Sequence, residues 1–206
     1  VIFNLAVFGL ISAASIFAAQ FAGKEDMKNV KNCLYYDLTA GLLVGSLIMV
    51  IYLKFGENLI YLFMHPETDS PANIAKTMGY ALSYLRVMAI GFIPFVFSQS
   101  FSSAMRVNGE TRLPMFASVV TVLVNFVFNR LLIFGHLGFP KMGPKGAAIA
   151  TVISRFVELS IYIILAKKNK IRFPFFQNIL RDFHIEKKLF KEITVSGIPL
   201  ILNEIL

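Results

Sequence analysis

With one cysteine among 206 residues, Cys33, the chain has no intrachain disulfide framework and no cysteine cage for a metal. We assign Cys33 to packing. The three histidines, His65, His136 and His184, all fall in connectors on different elements. No Walker A loop, no Gly-x-Ser-x-Gly elbow and no His-Glu-x-x-His helix occurs. An intramembrane enzyme would keep His or paired Asp at membrane depth, whereas this chain offers Asp37 near one end of a run and little else. The chain reads as a protein that is not an enzyme and carries no cofactor.

Charge is scarce too, at 16% of residues, and the apolar residues that replace it come in blocks. Mean hydropathy is +0.68, far above that of a soluble domain of this size. Apolar stretches lie at about 1–22, 33–54, 80–104, 114–135 and 145–166, each close to the roughly 20 residues that cross a bilayer as a helix. A sixth begins near 193. A spanning barrel needs alternating segments of roughly 10 residues, and these runs are about twice that length without a period of two. The expected fold is therefore an all-α integral membrane protein, a polytopic helical bundle in contact with lipid. Val1 stands inside an apolar run with no basic segment before it, and Leu206 inside another, so we expect a piece of a longer protein rather than a signal peptide.

Basic residues favour alternate connectors. Lys24, Lys28 and Lys31 fall in 23–32, Arg106 and Arg112 in 105–113, and eight more in 167–192; the other side has Lys76, Lys141 and Lys145. Thirteen against three predicts that 23–32, 105–113 and 167–192 face the cytoplasm of a multi-pass protein in the cell membrane. The formal net charge of +8 needs no nucleic-acid partner, since it sits where that rule places it.

Two connectors have patterns of their own. Residues 171–191 set Phe173, Phe175, Phe176, Ile179, Leu180 and Phe183 among basic residues, which predicts a segment lying in the headgroup region and joining two halves of a larger bundle. On the other side Ser70 and Pro71 predict a helix start ahead of the third run, which Pro94 is expected to bend.

Polar residues inside the runs mark the candidate site. Ser118, Thr121, Asn125 and Asn129 recur at helical spacing on the fourth run, and Thr151, Ser154, Arg155 and Glu158 on the fifth. Ionised groups near the bilayer centre cost about 2.5–3.5 kcal/mol each on insertion scales, so both stripes should face protein or a watery cavity. Arg155 and Glu158, three apart, are expected to pair. Arg86 and Arg130, near the ends of their runs, are expected to snorkel. Ser, Thr and Asn also bond helix to helix, and that reading stays open for the stripes.

The stretch "YLRVMAIGFIPFVFSQSFSSAMRVNGETRLPM" (84–115), with its mid-helix Gly-x-x-Pro and its Arg-x-x-Gly-x-Thr-x-x-Pro-Met hairpin, resembles the fourth-to-fifth helix region of the multidrug and toxic compound extrusion (MATE) family. "NFVFNRLLIFG" (125–135) and "GAAIATVISR" (146–155) resemble its fifth and sixth helices, and "AAQFAGKED" (18–26) the end of its second. The resemblance implies the first lobe, incomplete, of a twelve-helix two-lobe transporter. Residues 1–170 are then the N-terminal lobe without its first helix, 171–191 a cytoplasmic interfacial linker, and 192–206 the start of the C-terminal lobe. It further implies a cation-coupled antiporter that exports drugs or other amphipathic organic compounds in exchange for sodium or protons. Alternatives are a flippase for lipid-linked precursors in the same superfamily and a truncated inactive membrane protein. Some family members bind the coupling cation with an Asp on the first helix, an Asn and an Asp four apart on the fifth and a Thr on the sixth. Asn125 matches that Asn, Asn129 stands in place of the second Asp, and Thr151 matches the Thr, an expected sodium site whose one carboxylate comes from the first helix. Others use an acidic residue on the seventh helix, for which Glu204, five after Pro199, is the counterpart.

Overall fold

The computed structural model describes residues 2–62, 64, 70–177, 179 and 186–205, the side chains of 2, 3, 71 and 200–205 excepted. Among them lie seven α-helices, one short 3-10 turn and no strand. His65, Leu180, Phe183 and His184, and the side chain of Glu204, lie outside the described residues.

Helix α1 (Ile2–Gly23) turns into α2 (Met27–Tyr61) through Asp26, whose carboxylate accepts the Asn29 amide N–H at 3.1 Å and caps the new helix. The Asn29 backbone and side-chain N–H groups hold the Asp26 carboxyl below the usual carboxylate range. At 35 residues, α2 is about 52 Å long at 1.5 Å per residue, more than the roughly 30 Å hydrocarbon core needs. Its first half is buried by neighbours, and its second half presents Leu43, Leu47, Val50, Ile51 and Leu53 outward, as a lipid-facing helix does.

The third apolar run forms two helices, α3 (Pro71–Ile90) and α4 (Phe92–Val107), bent by 49° at Gly91. Pro94 explains the break, because it has no N–H for the Ile90 carbonyl one turn back and its ring crowds that carbonyl. Ser70 caps α3 by accepting the Asn73 N–H at 3.4 Å, with Pro71 in the first turn, as expected. Helix α5 (Arg112–Phe134) and helix α6 (Pro144–Lys168) form an antiparallel hairpin. They approach so closely that a Cβ on Gly146 would lie 2.6 Å from the Leu132 carbonyl oxygen. Among the described residues four helices, or five spans when the bent pair counts as one, are long and apolar enough to cross a membrane. These are the five runs read from the sequence. Helix α7 (Lys187–Ile205) begins before residue 192 and packs along α1, where Gly197 faces Ala13.

Helix α4 is the centre of the bundle, packed against α1, α2 and α6 and buried on most of its circumference. One expectation is corrected beside it. Phe173 and Phe175 do not lie among headgroups: both are buried in the bundle, Phe175 within a 3-10 turn (Pro174–Phe176), in a cluster with Val30, Leu34, Phe101, Met105 and Tyr162. The ring of Phe176 lies 4.8 Å from that of Phe101. A gap at the end of α2, α4 and α6 was available inside the protein, and burial there removes more apolar surface from water than an interface does.

The Arg106–Pro114 connector belongs to the same end. Asn108 and Gly109, the latter at φ +77, turn the chain out of α4. Buried Glu110 then accepts the Arg112 and Leu113 backbone N–H groups at 2.9 and 3.0 Å, capping α5. Its second oxygen pairs with Arg172, so the capping carboxylate also ties the aromatic turn to the hairpin.

Candidate functional site

The polar stripes of α5 and α6 meet midway along the hairpin. Asn129 donates to the Asn125 carbonyl oxygen at 2.8 Å, and the Asn125 amide reaches across to the Thr151 and Ser154 hydroxyls, each at 3.4 Å. Thr151 and Ser154 also donate into their own helix, to the carbonyls of Ala147 at 3.0 Å and Thr151 at 2.7 Å. The Asn129 side-chain oxygen is left buried with no hydrogen-bond partner among the described residues. A buried amide oxygen with unused lone pairs is costly in hydrocarbon and is a ready ligand for a hard cation or a water.

Two members of the stripes do not join. Ser118 is exposed on the outer face of α5, and Thr121, though buried, donates only to the Ala117 carbonyl of its own helix at 2.8 Å. Spacing alone placed both with Asn125, but at 1.5 Å per residue Ser118 stands about 10 Å and Thr121 about 6 Å from it along the helix axis.

Arg155 and Glu158 pair as expected, Nη1 to Oε2 at 2.9 Å. Glu158 is buried at 3% exposure, while the Arg155 side chain keeps 29%, and its guanidinium stacks over the Phe95 ring at 4.7 Å. The exposed part of Arg155 opens on a cavity of about 350 Å³ between α1, α2, α3, α4 and α6. Asn4, Tyr52, Tyr84, Met88, Phe92, Phe95, Thr151 and Arg155 are among its walls. Thr151 is thus shared between the polar seam and the cavity. Arg130 and Arg86 are exposed, and Arg86 lines a separate, smaller cleft with Lys54 and Glu57.

Sequence reasoning missed the α4 side of this site. Ser98 and Ser102, one turn apart, are buried; Ser98 Oγ has no partner among the described residues, and Ser102 Oγ accepts Arg106 Nη2 at 2.6 Å. Tyr162, fully buried on α6, lies beside Ser102 and Glu158. The signal was present as "SQSFSSA" (98–104), whose serines recur at helical spacing inside an apolar run. Asp37, 4% exposed on α2, likewise has no partner for its Oδ1 among the described residues. Among the described residues no group of three His, Cys, Asp or Glu is placed to hold a metal ion.

Known proteins share this sequence and fold. Residues 1–131 match the MatE family. The chain is 28% identical over 200 residues to a probable multidrug resistance protein YoeA of Bacillus subtilis, covering 96% of this chain and 41% of that protein. It is 30% identical over 203 residues to a probable multidrug resistance protein NorM of Listeria monocytogenes, covering 95% and 41%. Among solved structures, an inward-facing multidrug resistance MATE family transporter of the MOP superfamily superposes with a TM-score of 0.78 at 26% identity, over 99% of this chain and 43% of the other. A MATE crystal structure in the bent conformation gives 0.77 at 25% identity, over 98% and 42%. The chain spans about two fifths of the length of the relatives it matches. By sequence and by fold, it belongs to the MatE family of multidrug and toxic compound extrusion proteins.

Proposed function

We propose that this chain is part of a cation-coupled antiporter that exports amphipathic organic compounds across the cell membrane. The observation that carries the reading is the seam of Asn125, Asn129, Thr151 and Ser154, half-buried midway along two spanning helices and sharing Thr151 with a cavity of about 350 Å³. A seam that served only to join helices would satisfy its own atoms, whereas this one leaves the Asn129 oxygen unused. Sodium is the coupling ion that Asn125, Asn129 and Thr151 fit as neutral oxygen donors, with charge balance from a carboxylate elsewhere in the protein. An Asn amide does not exchange a proton at physiological pH, so proton coupling falls to the first helix of the family's lobe, Asp37, Glu158 or Glu204. A lipid-precursor flippase is less well supported, since Arg155 is the one cation on the cavity wall among the described residues.

The connectors at 23–27, 107–112 and 168–177 share one end of the bundle, which the charge bias assigns to the cytoplasm. A cysteine introduced at Asn108 in a Cys33→Ala background should resist membrane-impermeant thiol reagents in intact cells; rapid labelling from outside would reverse the orientation.

Transport itself is tested on the full-length protein in proteoliposomes, by following efflux of a lipophilic cation under an imposed sodium or proton gradient. The expected result is efflux that needs one of the two gradients, and that Asn129→Ala uncouples from sodium. Efflux indifferent to both gradients would overturn the reading.

A further inference from the structure

We infer that Asp37 and Ser100 hold a sodium ion between α2 and α4, a second cation site that lies apart from the seam of Asn125 and Asn129 and stabilises the contact of the two helices. The inference goes beyond the export function proposed above without resting on it, and it takes Asp37 out of the acids left to carry a proton.

Helices α2 and α4 run antiparallel in a fixed register. A Cβ on Gly41 would lie 2.8 Å from Val96 Cγ1, and one on Gly45 would meet the Phe92 ring. Four residues forward along α2 are thus matched by four back along α4. One step of four from Gly41 toward the start of α2 reaches Asp37, and the matching step from Val96 reaches Ser100, so the two stand level on the facing sides of their helices. Ser100 is fully buried and Asp37 nearly so, and both lie within spanning segments.

Neither side chain is satisfied. Asp37 Oδ1 and Ser100 Oγ have no hydrogen-bond partner, and Asp37 makes no ion pair, among the described residues. A serine hydroxyl level with a carboxylate and free to reach it would donate to it, and a bonded pair would need nothing more. Two oxygens unused at one level of one seam are instead a donor set for a ligand between them.

Charge decides which ligand. The bases near Asp37 on α2 and α4 are committed, Lys31 to the Gln177 carbonyl at 2.8 Å and Arg106 to Ser102 at 2.6 Å. Helix α1 brings Ala14 and Ala18, which pack with Cys33, Tyr36 and Ala40 on either side of Asp37 in sequence. A carboxylate so enclosed needs one positive charge. A hard monovalent cation supplies it and takes oxygen donors, whereas a divalent ion would leave an excess charge and a soft metal would seek sulfur or imidazole. Sodium, the smaller of the common monovalent cations, suits a seam where Gly41 and Gly45 bring the helices into contact.

The exchange machinery lies on the other side of α4. Ser102 stands beside Tyr162 of α6, and Ser98 is one turn from it, whereas Ser100, two residues from each, points the opposite way. Asp37 and Ser100 neither line the cavity of about 350 Å³ nor bond to the Asn125 seam. An ion held there meets no substrate in the cavity.

The test is thermal melting of the purified full-length protein in detergent, with sodium chloride exchanged for choline chloride at constant ionic strength. Asn129→Ala serves as the parent, so that the other proposed sodium site is disabled. Sodium should raise the parent's melting temperature, and the half-effect concentration should not move when tetraphenylphosphonium is added. Asp37→Asn in that parent should lose the rise and, without sodium, melt no lower than the parent, since no bare charge is left buried. Ser100→Ala keeps the charge and removes one donor, so it should need roughly tenfold more sodium for half the rise, and it reads the site even if Asp37→Asn fails to fold. A sodium rise that is equal with and without Asp37 would overturn the inference and give the charge to a proton. A Ser100→Ala protein on the parent's sodium curve would overturn it as well, and a half-effect concentration displaced by tetraphenylphosphonium would overturn the separation from the exchange site. Each of these results leaves the export function standing.

Discussion

Two seams in this bundle solve the same problem with opposite chemistry. Where α1 meets α2 and α7, the contact is made by Leu10, Ala13, Ala14, Ala18, Cys33, Ala40 and Ile193, with Gly197 set against Ala13, and small side chains let the helices close on one another. Where α6 meets α4 and α5, the contact is made by Ser98, Ser102, Asn125, Asn129, Thr151, Ser154 and Glu158, and two buried polar atoms, on Ser98 and Asn129, have no partner among the described residues. In lipid there is no hydrophobic force between helices, so close packing of small residues is what stabilises the first seam. The second gives up packing and hydrogen-bond satisfaction and ends beside a cavity. The difference separates scaffold from machinery within one lobe.

The largest effect should come from the apolar scaffold at the hairpin end. Phe175→Ala leaves a hole among Phe173, Tyr162 and Leu34 and should destabilise the protein by about 3–5 kcal/mol, read as a loss of thermal stability of the full-length protein in detergent. If the melting temperature barely moves, the turn is not part of the core. Gly197→Ala comes next, since its Cβ would lie 2.6 Å from the Ala13 Cβ. About 1–3 kcal/mol of overpacking is expected, with the ion dependence of any remaining efflux unchanged. An altered ion preference in that variant would erase the distinction between the seams.

The smallest effect concerns Asp26. Its carboxyl is held below the usual range by the Asn29 N–H groups, so its cap contributes stability above the ordinary carboxylate value and loses it as pH falls through the lowered folded-state value. Asp26→Asn keeps a capping oxygen and removes that acid dependence, which a pH series of thermal melts should show.

Much of this architecture was legible in sequence because lipid imposes one length and one backbone solution on each span. Pro94 placed the break between α3 and α4 within one turn, and the i, i+3 spacing of Arg155 and Glu158 sufficed to predict their contact. The aromatic turn was misjudged because Phe173 and Phe175 among basic residues read alike whether the rings enter lipid headgroups or a gap between helices, and the gap is a product of tertiary packing. Ser98, Ser102 and Tyr162 went unread because serine and tyrosine in an apolar run are ordinary until a facing helix supplies Glu158 and Arg106.

The claim that the polar seam couples ions while the apolar seam only supports it is tested most directly on two variants of the full-length protein, Asn129→Ala and Gly197→Ala. The measurement is the number of sodium ions or protons taken up per lipophilic cation exported from proteoliposomes, taken beside the melting temperature. The account predicts that Asn129→Ala changes the ion-to-substrate ratio with little change in melting temperature, and that Gly197→Ala does the reverse. A Gly197→Ala protein with an altered ratio, or an Asn129→Ala protein that loses only stability, would contradict it.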